Sequence, residues 1–290
     1  MNTFAQEYVG VLDQILNMPD FTCKPRDMEI KEIIPGEVHI DPVHCFFRNS
    51  KRDFGKIVKY IVGETMWYFA GRNDTAFIEK YAKMWTSIKN DDGTANSAYG
   101  NLLFTMKDAK SEYQVSDGKS QWEWAYDSLV ADKDTRQAIM HFNRPIHQTM
   151  TRDFVCTLYT NFHIRNNKLS MISRMRSQDV FKGLTYDVPF FSMLLQNMYL
   201  LLKKNKYPEL ELGTLTHSSD SLHIYSSDYD LAREMLKHET EDIMIELPAP
   251  LVDEHGRVTN LYGDIVVTAQ SSQQVQEAHE RAFVIMGGKP

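Results

Sequence analysis

The stretch Ile57 to Phe69 carries apolar side chains almost all round a helical wheel and runs out near Gly71, so it reads as a helix enclosed by other protein. Covering such a helix takes a full core, which 290 residues that are 42% hydrophobic can build. One carboxylate lies inside it, Glu64, in the run Ile61-Val62-Gly63-Glu64-Thr65-Met66-Trp67-Tyr68-Phe69. An ionised carboxylate there costs on the order of several kcal/mol unless it is paired or solvated by fixed water. Position alone leaves two readings open: a structural pair with an arginine, or proton chemistry at a shifted pKa.

Other elements follow from periodicity and breakers. Phe4, Val9, Leu12 and Ile15 recur near helical spacing, with Pro19 closing the segment. Ile30 to Ile34 and Val38 to Ile40, interrupted by Pro35-Gly36, predict a strand pair or one bulged strand. Asn90 to Thr94 and Asp108 to Ser120 are loops by composition, and Gln121 to Val130 suits a helix before the turn Asp132-Lys133-Asp134. Gln137 to Phe142, Thr157 to Ile164 and Leu169 to Arg174 have the length and residue types of strands, the last two joined by a hairpin turn at Arg165-Asn166-Asn167-Lys168. Phe190 to Leu202 predicts a second core helix. With no repeat, low-complexity tract or linker, residues 1–290 are expected to form a single domain.

The formal charge of −7 disfavours a groove for a nucleic acid polymer, which normally needs a basic excess. A mononucleotide needs only a local arginine cluster. Cys23, Cys45 and Cys156 form no CxxC pair and no even framework, which points to a reducing compartment without disulfides or structural zinc. The N-terminus lacks a basic start followed by an apolar run, and Met193 to Leu202 is too short and polar to span a bilayer, so a cytoplasmic location is expected, the host's cytoplasm if the source is viral. The histidines show no HExxH-like spacing, so no metal site is expected, and no GxGxxG or Walker-type loop is present.

Chemistry concentrates at Cys156 and in Arg174-Met175-Arg176-Ser177-Gln178-Asp179-Val180-Phe181-Lys182-Gly183-Leu184-Thr185-Tyr186-Asp187. A lone cysteine is most often a packing residue, the reading favoured for Cys23 and Cys45. Cys156 differs in its company: guanidinium charge from Arg174 or Arg176 can favour a thiolate or hold a phosphate bidentately, while Asp179 and Asp187 can accept hydrogen bonds from a heterocycle. His223 and Tyr225 alternate, so on a strand they share a face and can pack together or reach a sugar hydroxyl. Read together, these residues suggest a nucleotide handled by covalent catalysis.

From about Lys24 to Tyr225 the chain resembles the thymidylate synthase superfamily, and most closely its phage-type deoxycytidylate hydroxymethylase branch. The resemblance is carried by Cys156 with Arg176-Ser177-Gln178-Asp179 at the family interval of 20 residues, by Glu64 with Trp67, Trp85 ahead of Tyr99-Gly100, Asp134-Thr135-Arg136, and His223-Ile224-Tyr225. It implies a mixed α/β (α+β) fold around a twisted sheet with packed helices, working as a homodimer in which each subunit lends arginine to its partner's phosphate site. It also implies addition of Cys156 to C6 of a pyrimidine, which makes C5 an enamine-like nucleophile toward 5,10-methylenetetrahydrofolate as co-substrate. By the same resemblance Arg176 and Arg136, with Arg26, bind the 5′-phosphate together with Ser177. Asp179 contacts the base and folate, and His223 and Tyr225 the sugar. Glu64 relays protons at the ring beside the folate, Tyr99 joins that network, and Trp85 faces the folate.

Departures from the family set the substrate. Where thymidylate synthases carry an asparagine for uracil, this chain has Asp187; a protonated carboxyl can donate to cytosine N3 and accept from its amino group, so dCMP is expected over dUMP. The C-terminus, Arg281 to Pro290, does not resemble the short apolar tail that closes thymidylate synthases over folate, and a site open to water predicts a hydroxymethyl product. Asp153-Phe154-Val155-Cys156-Thr157 in place of Pro-Cys-His and Asn96-Ser97-Ala98-Tyr99-Gly100 lean the same way, whereas Gly71-Arg72-Asn73-Asp74-Thr75 leans toward the synthases. Gln137 replaces a second arginine, leaving the phosphate clamp to be completed by a residue such as Arg174. The alternatives are a pyrimidine C5-methyltransferase of the same fold, either dCMP methylase or thymidylate synthase, and a non-catalytic nucleotide- or RNA-binding protein.

Overall fold

The computed structural model describes residues 1–105, 118–148 and 151–259. The chain opens with helix α1 (Phe4–Asn17), started by a reciprocal cap in which Thr3 accepts from Gln6 and Gln6 answers the Thr3 backbone, and ended just before Pro19. Strands β1 (Phe21–Cys23), β2 (Ile30–Ile33), β3 (Gly36–Ile40) and β4 (Phe46–Asn49) follow. Then comes α2 (Phe54–Phe69), capped by the Asp53 side chain and buried from Ile61 onward. Two short helices, α3 (Thr75–Ile78) and α4 (Met84–Ile88), lead to α5 (Gln121–Ala131), which Ser120 and Glu123 cap reciprocally. Strands β5 (Ile139–His141), β6 (Thr157–Arg165), β7 (Lys168–Met175) and the two-residue β8 (Gln178–Asp179) come next, then the long helix α6 (Thr185–Asn205). The described chain finishes with β9 (Glu211–Ser219), β10 (Leu222–Tyr225), α7 (Tyr229–Leu236) and β11 (Thr240–Ile243).

These strands make a mixed five-stranded sheet in the order β3-β9-β7-β6-β5, a four-stranded sheet β1-β2-β10-β8 and the pair β11-β4. The β6–β7 hairpin turns at Asn166 and Asn167, both in the left-handed region that asparagine tolerates. Burial alternates along β7, with Leu169, Met171, Ser173 and Met175 inside and Ile172 at 37% exposure on the opposite face. Helix α6 covers the inner face of β7 and β9, and α2 packs on α6. That layering encloses α2, as its apolar circumference requires.

The expected pairing of Ile30–Ile34 with Val38–Ile40 is not what forms. β2 pairs with β1 and β10, whereas β3 pairs with β9 in the other sheet. The crossover runs through Pro35-Gly36, where a Cβ on Gly36 would stand 2.4 Å from the Leu222 side chain, so the chain changes sheet in a place only glycine fits. The polar stretch Asp108–Ser120 lies largely, and the C-terminal segment Arg281–Pro290 wholly, outside the described residues. No helix among the described residues is long and apolar enough to cross a membrane.

Gly100 ties α2 to the segment bearing Tyr99, because a Cβ there would lie 1.5 Å from the Tyr68 backbone carbonyl oxygen. Gly100→Ala forces these backbones apart and is expected to cost about 3 kcal/mol or more. Urea unfolding of the variant checks this, and an unchanged midpoint would show that the two segments separate freely.

Candidate active site

Cys156 immediately precedes β6, and Arg176 follows β7 at the open end of the same hairpin, so the pairing of the two strands brings residues 20 apart into contact. The Arg176 backbone N–H donates to the Cys156 carbonyl at 2.9 Å. Its guanidinium folds over the preceding turn, donating from Nη2 to the Phe154 carbonyl at 2.9 Å and from Nε to the Val155 carbonyl at 3.2 Å. Nη2 then stands 3.4 Å from Cys156 Sγ. Burial pushes the thiol above its ordinary pKa, with Arg176 the leading opposing charge. Guanidinium proximity therefore moderates the shift without reversing it, contrary to the simple expectation of a favoured thiolate, and Cys156 needs a base to become a nucleophile.

A cavity of about 470 Å³ opens beside this turn. Arg26, Arg176, Ser177, His223 and Tyr225, all expected at a nucleotide, line it together with Phe154. The His223 and Tyr225 rings meet edge to face at 5.1 Å on β10, the shared strand face anticipated for them. Cys23 and Glu32 also line the cavity. For Cys23 this places a residue read as packing at the site, with its thiol donating to Glu32 at 3.3 Å.

Behind the thiol lie two carboxyl groups. Glu64, on α2, accepts from Tyr60 at 2.8 Å and from Tyr68 at 3.2 Å. No arginine pairs with it among the described residues, so the structural ion-pair reading is not realised. Burial, and then the nearby Asp187 charge, push Glu64 up to about 8. Asp187 sits in the first turn of α6, accepts from Gln178 Nε2 at 2.9 Å, and is pushed by burial up to about 7. Its charge is also felt at Cys156 and at Tyr99, whose ring stacks on Tyr68 at 4.9 Å between centroids. Cys156, Glu64, Tyr99 and Asp187 thus form one electrostatic cluster with groups poised to hold or release a proton near neutral pH.

The remaining expected residues are placed differently. Asp179 Oδ1 accepts from the backbone N–H groups of Phe181 and Lys182, fixing the turn into α6, while its buried Oδ2 has no partner. Trp85 is 3% exposed, and its indole N–H donates to Tyr60 at 3.0 Å, which makes it a support behind Glu64. Arg136 is exposed ahead of β5 and does not line the cavity. Arg174 cannot complete a phosphate clamp as suggested, because its guanidinium is held by Asp220 and donates to Ser218. Sequence reading passed over Tyr60 and Tyr68, although both lie four residues from Glu64 on one helix, the spacing at which side chains meet. Gln178 and Glu32 likewise escape it, and Cys23 reads as a packing residue, because the place of all three depends on strand pairings that local pattern does not disclose. Among the described residues no cluster of three or more His, Cys, Asp or Glu has the arrangement of a metal site.

Glu64 supplies a stability test. Its folded pKa lies above the unfolded value, so the cost of keeping it buried grows as pH rises from the unfolded pKa near 4.5 toward about 8. Glu64→Gln removes that cost and is expected to stabilise the protein by about 4 kcal/mol at pH 8 and by little at pH 4. Thermal unfolding at the two pH values checks the sign.

Comparison with known proteins bears on this arrangement. The thymidylate synthase family model matches residues 51–267. The deoxyuridylate hydroxymethyltransferase of Bacillus phage SP01 is 28% identical over 229 residues, covering 78% of this chain and 58% of the phage protein. The deoxycytidylate 5-hydroxymethyltransferase of Enterobacteria phage T4 is 25% identical over 183 residues, covering 60% of this chain and 69% of that one. The family match takes in Glu64, Cys156, Arg176, Asp187 and the β10 pair, and the chain belongs to the thymidylate synthase family.

Proposed function

We propose that this protein is a deoxycytidylate 5-hydroxymethyltransferase, which places a one-carbon unit from 5,10-methylenetetrahydrofolate on C5 of dCMP. One observation carries the choice of base: Asp187 stands beside the nucleophile with a carboxyl that is substantially protonated near pH 7. A neutral carboxyl offers one donor and one acceptor, and with its proton on the oxygen facing N3 it matches cytosine at N3 and the C4 amino group. An ionised one only accepts, and repels the O4 of uracil.

In the proposed reaction the dCMP phosphate sits with Arg26, Arg176 and Ser177 and the sugar with His223 and Tyr225, the residues lining the cavity. Cys156 loses its proton and its sulfur bonds to C6, while the displaced electron pair moves through C5 toward N3, where the Asp187 proton stabilises it. When bound, the folate supplies an electrophilic one-carbon unit. The acceptor left open on buried Asp179 Oδ2, together with Glu64, suits its ring N–H groups. Trp85, turned into the core, does not present a folate-facing surface. Glu64 and the Tyr60 and Tyr68 hydroxyls take up and return protons at the ring. C5 takes up the one-carbon unit as tetrahydrofolate leaves, and the C5 proton passes to the Glu64 network. Water adds to the resulting exocyclic methylene, the electron pair returns from N3 through C5 to expel the Cys156 sulfur from C6, and 5-hydroxymethyl-dCMP leaves.

Both phage relatives named above carry hydroxymethyltransferase names, which supports water as the final reactant, while their bases differ. The protein is further proposed to act as a homodimer in the cytoplasm. The face of the five-stranded sheet bearing Ile172 is partly exposed in the single chain, and Arg136 lies outside its own cavity, which supports a role for it at a partner's phosphate site. Parallel incubation with dCMP, dUMP or CMP plus methylenetetrahydrofolate, followed by mass analysis, tests the reading. The expected result is 5-hydroxymethyl-dCMP with tetrahydrofolate; 5-methyl-dCMP with dihydrofolate, or preferred use of dUMP, overturns it. Cys156→Ala is expected to lower turnover at least ~10³-fold while nucleotide affinity changes by only a few fold.

A further inference from the structure

A neutral carboxyl is symmetric. With the proton on one oxygen it presents donor and acceptor in one order along a pyrimidine edge; with the proton on the other, the order is reversed and suits uracil as well as the first suits cytosine. Discrimination therefore needs something that breaks the symmetry, and the surroundings of Asp187 contain it. Oδ2 accepts from Gln178 Nε2 at 2.9 Å, whereas Oδ1 has no protein partner among the described residues.

Gln178 is 3% exposed and held at its other end. Its Oε1 lies 2.8 Å from Ser219 Oγ, which donates to it, and 2.9 Å from His217 Nε2. Because Oε1 only accepts, His217 carries its N–H on Nε2. That leaves Nδ1 as the acceptor for the Ser173 hydroxyl at 2.6 Å. Burial holds His217 neutral, pushing it down to about 3, so it has a single N–H to place. Donation thus runs one way, from Ser173 on β7 through His217 on β9 and Gln178 on β8 to Asp187 on α6. The Gln178 stem has little room to turn, since a Cβ at Gly183 would come within 2.9 Å of its Cγ.

We infer that Gln178 is a positioning residue that keeps the acid proton of Asp187 on Oδ1 by donating to Oδ2, and that, with Oδ1 toward N3 of the base, this makes the neutral carboxyl selective for cytosine over uracil. This rests on the dCMP reading above. Gln178 acts through Asp187 and touches no reacting atom.

The test measures kcat/KM for dCMP and for dUMP from pH 5 to 9 in the wild type, Gln178→Leu and Gln178→Glu. The last keeps the side chain's shape and the oxygen facing His217 and Ser219, and serves if the leucine variant does not fold. Glu64, Tyr60 and Tyr68 on α2, Tyr99 and Cys156 also face Asp187 and titrate or carry charge. They serve both substrates, so the ratio of the two kcat/KM values isolates Asp187. The dCMP preference of the wild type is expected to decline above about pH 7 as Asp187 ionises. In both variants the preference should fall at least tenfold, mainly through a lower KM for dUMP. The pH at which it declines should move up by about one unit, because the Gln178 donor favours the ionised carboxylate. A wild type that prefers dCMP, with ratio and pH profile unchanged in the variants, overturns the role of Gln178. A wild type that prefers dUMP overturns the base reading instead, and loss of its preference in the variants would then still support Gln178 as the residue that orders the carboxyl.

Discussion

Two neighbouring acids, Glu64 buried and Asp187 half-buried, with no cation among the described residues to neutralise them, govern this structure. Glu64 and Asp187 each raise the cost of ionising the other or its neighbours, and among the described residues neither has an ion pair. The arginines nearest them are engaged elsewhere. Arg176 is spent on the carbonyls of Phe154 and Val155, Arg174 on Asp220, and Arg52 on Thr185 and the Phe181 carbonyl. With Coulombic pairing unavailable, the acids are accommodated by keeping protons and by accepting from tyrosine and glutamine side chains. Such an arrangement burdens the fold at neutral pH and supplies groups that exchange protons there, a trade of stability for reactivity.

How far the sequence disclosed this varies with the range of the interaction. Helix α2, the β6–β7 hairpin and α5 could be read directly, since their signals are local: apolar circumference, Asn-Asn between two β-rich runs, and a helix-compatible run ahead of the Asp132-Lys133-Asp134 turn. The contact of Cys156 with Arg176 followed from the family interval, and the hairpin supplies its physical reason. The destination of β3 was not legible, because the pattern Ile-x-x-Ile then Pro-Gly marks a break without saying which sheet receives the next strand. Arg174 was misjudged for a related reason. Two residues from Arg176 along the chain, it meets β9 and finds Asp220, a partner 46 residues away.

The cavity shows the same division. His223 and Tyr225 share a strand face by simple alternation, and both arrive at the cavity as alternation requires. Cys23 and Glu32 reach it only because β1 and β2 join β10, an association fixed by tertiary pairing. Trp85 illustrates a residue whose importance was visible but whose direction was not: it faces Tyr60 and braces the hydroxyl that Glu64 depends on.

The crossover at Pro35-Gly36 carries one more implication. Strands β2 and β10 bear much of the cavity wall, while Cys156 and Arg176 belong to the hairpin of the larger sheet. Between β2 and β3 the chain has no slack, being pressed onto Leu222 of β10 where it changes sheets. Wall and thiol are therefore bolted to a common frame. A ligand entering here meets a mould of settled shape, so adjustments on binding fall to side chains and to the rim.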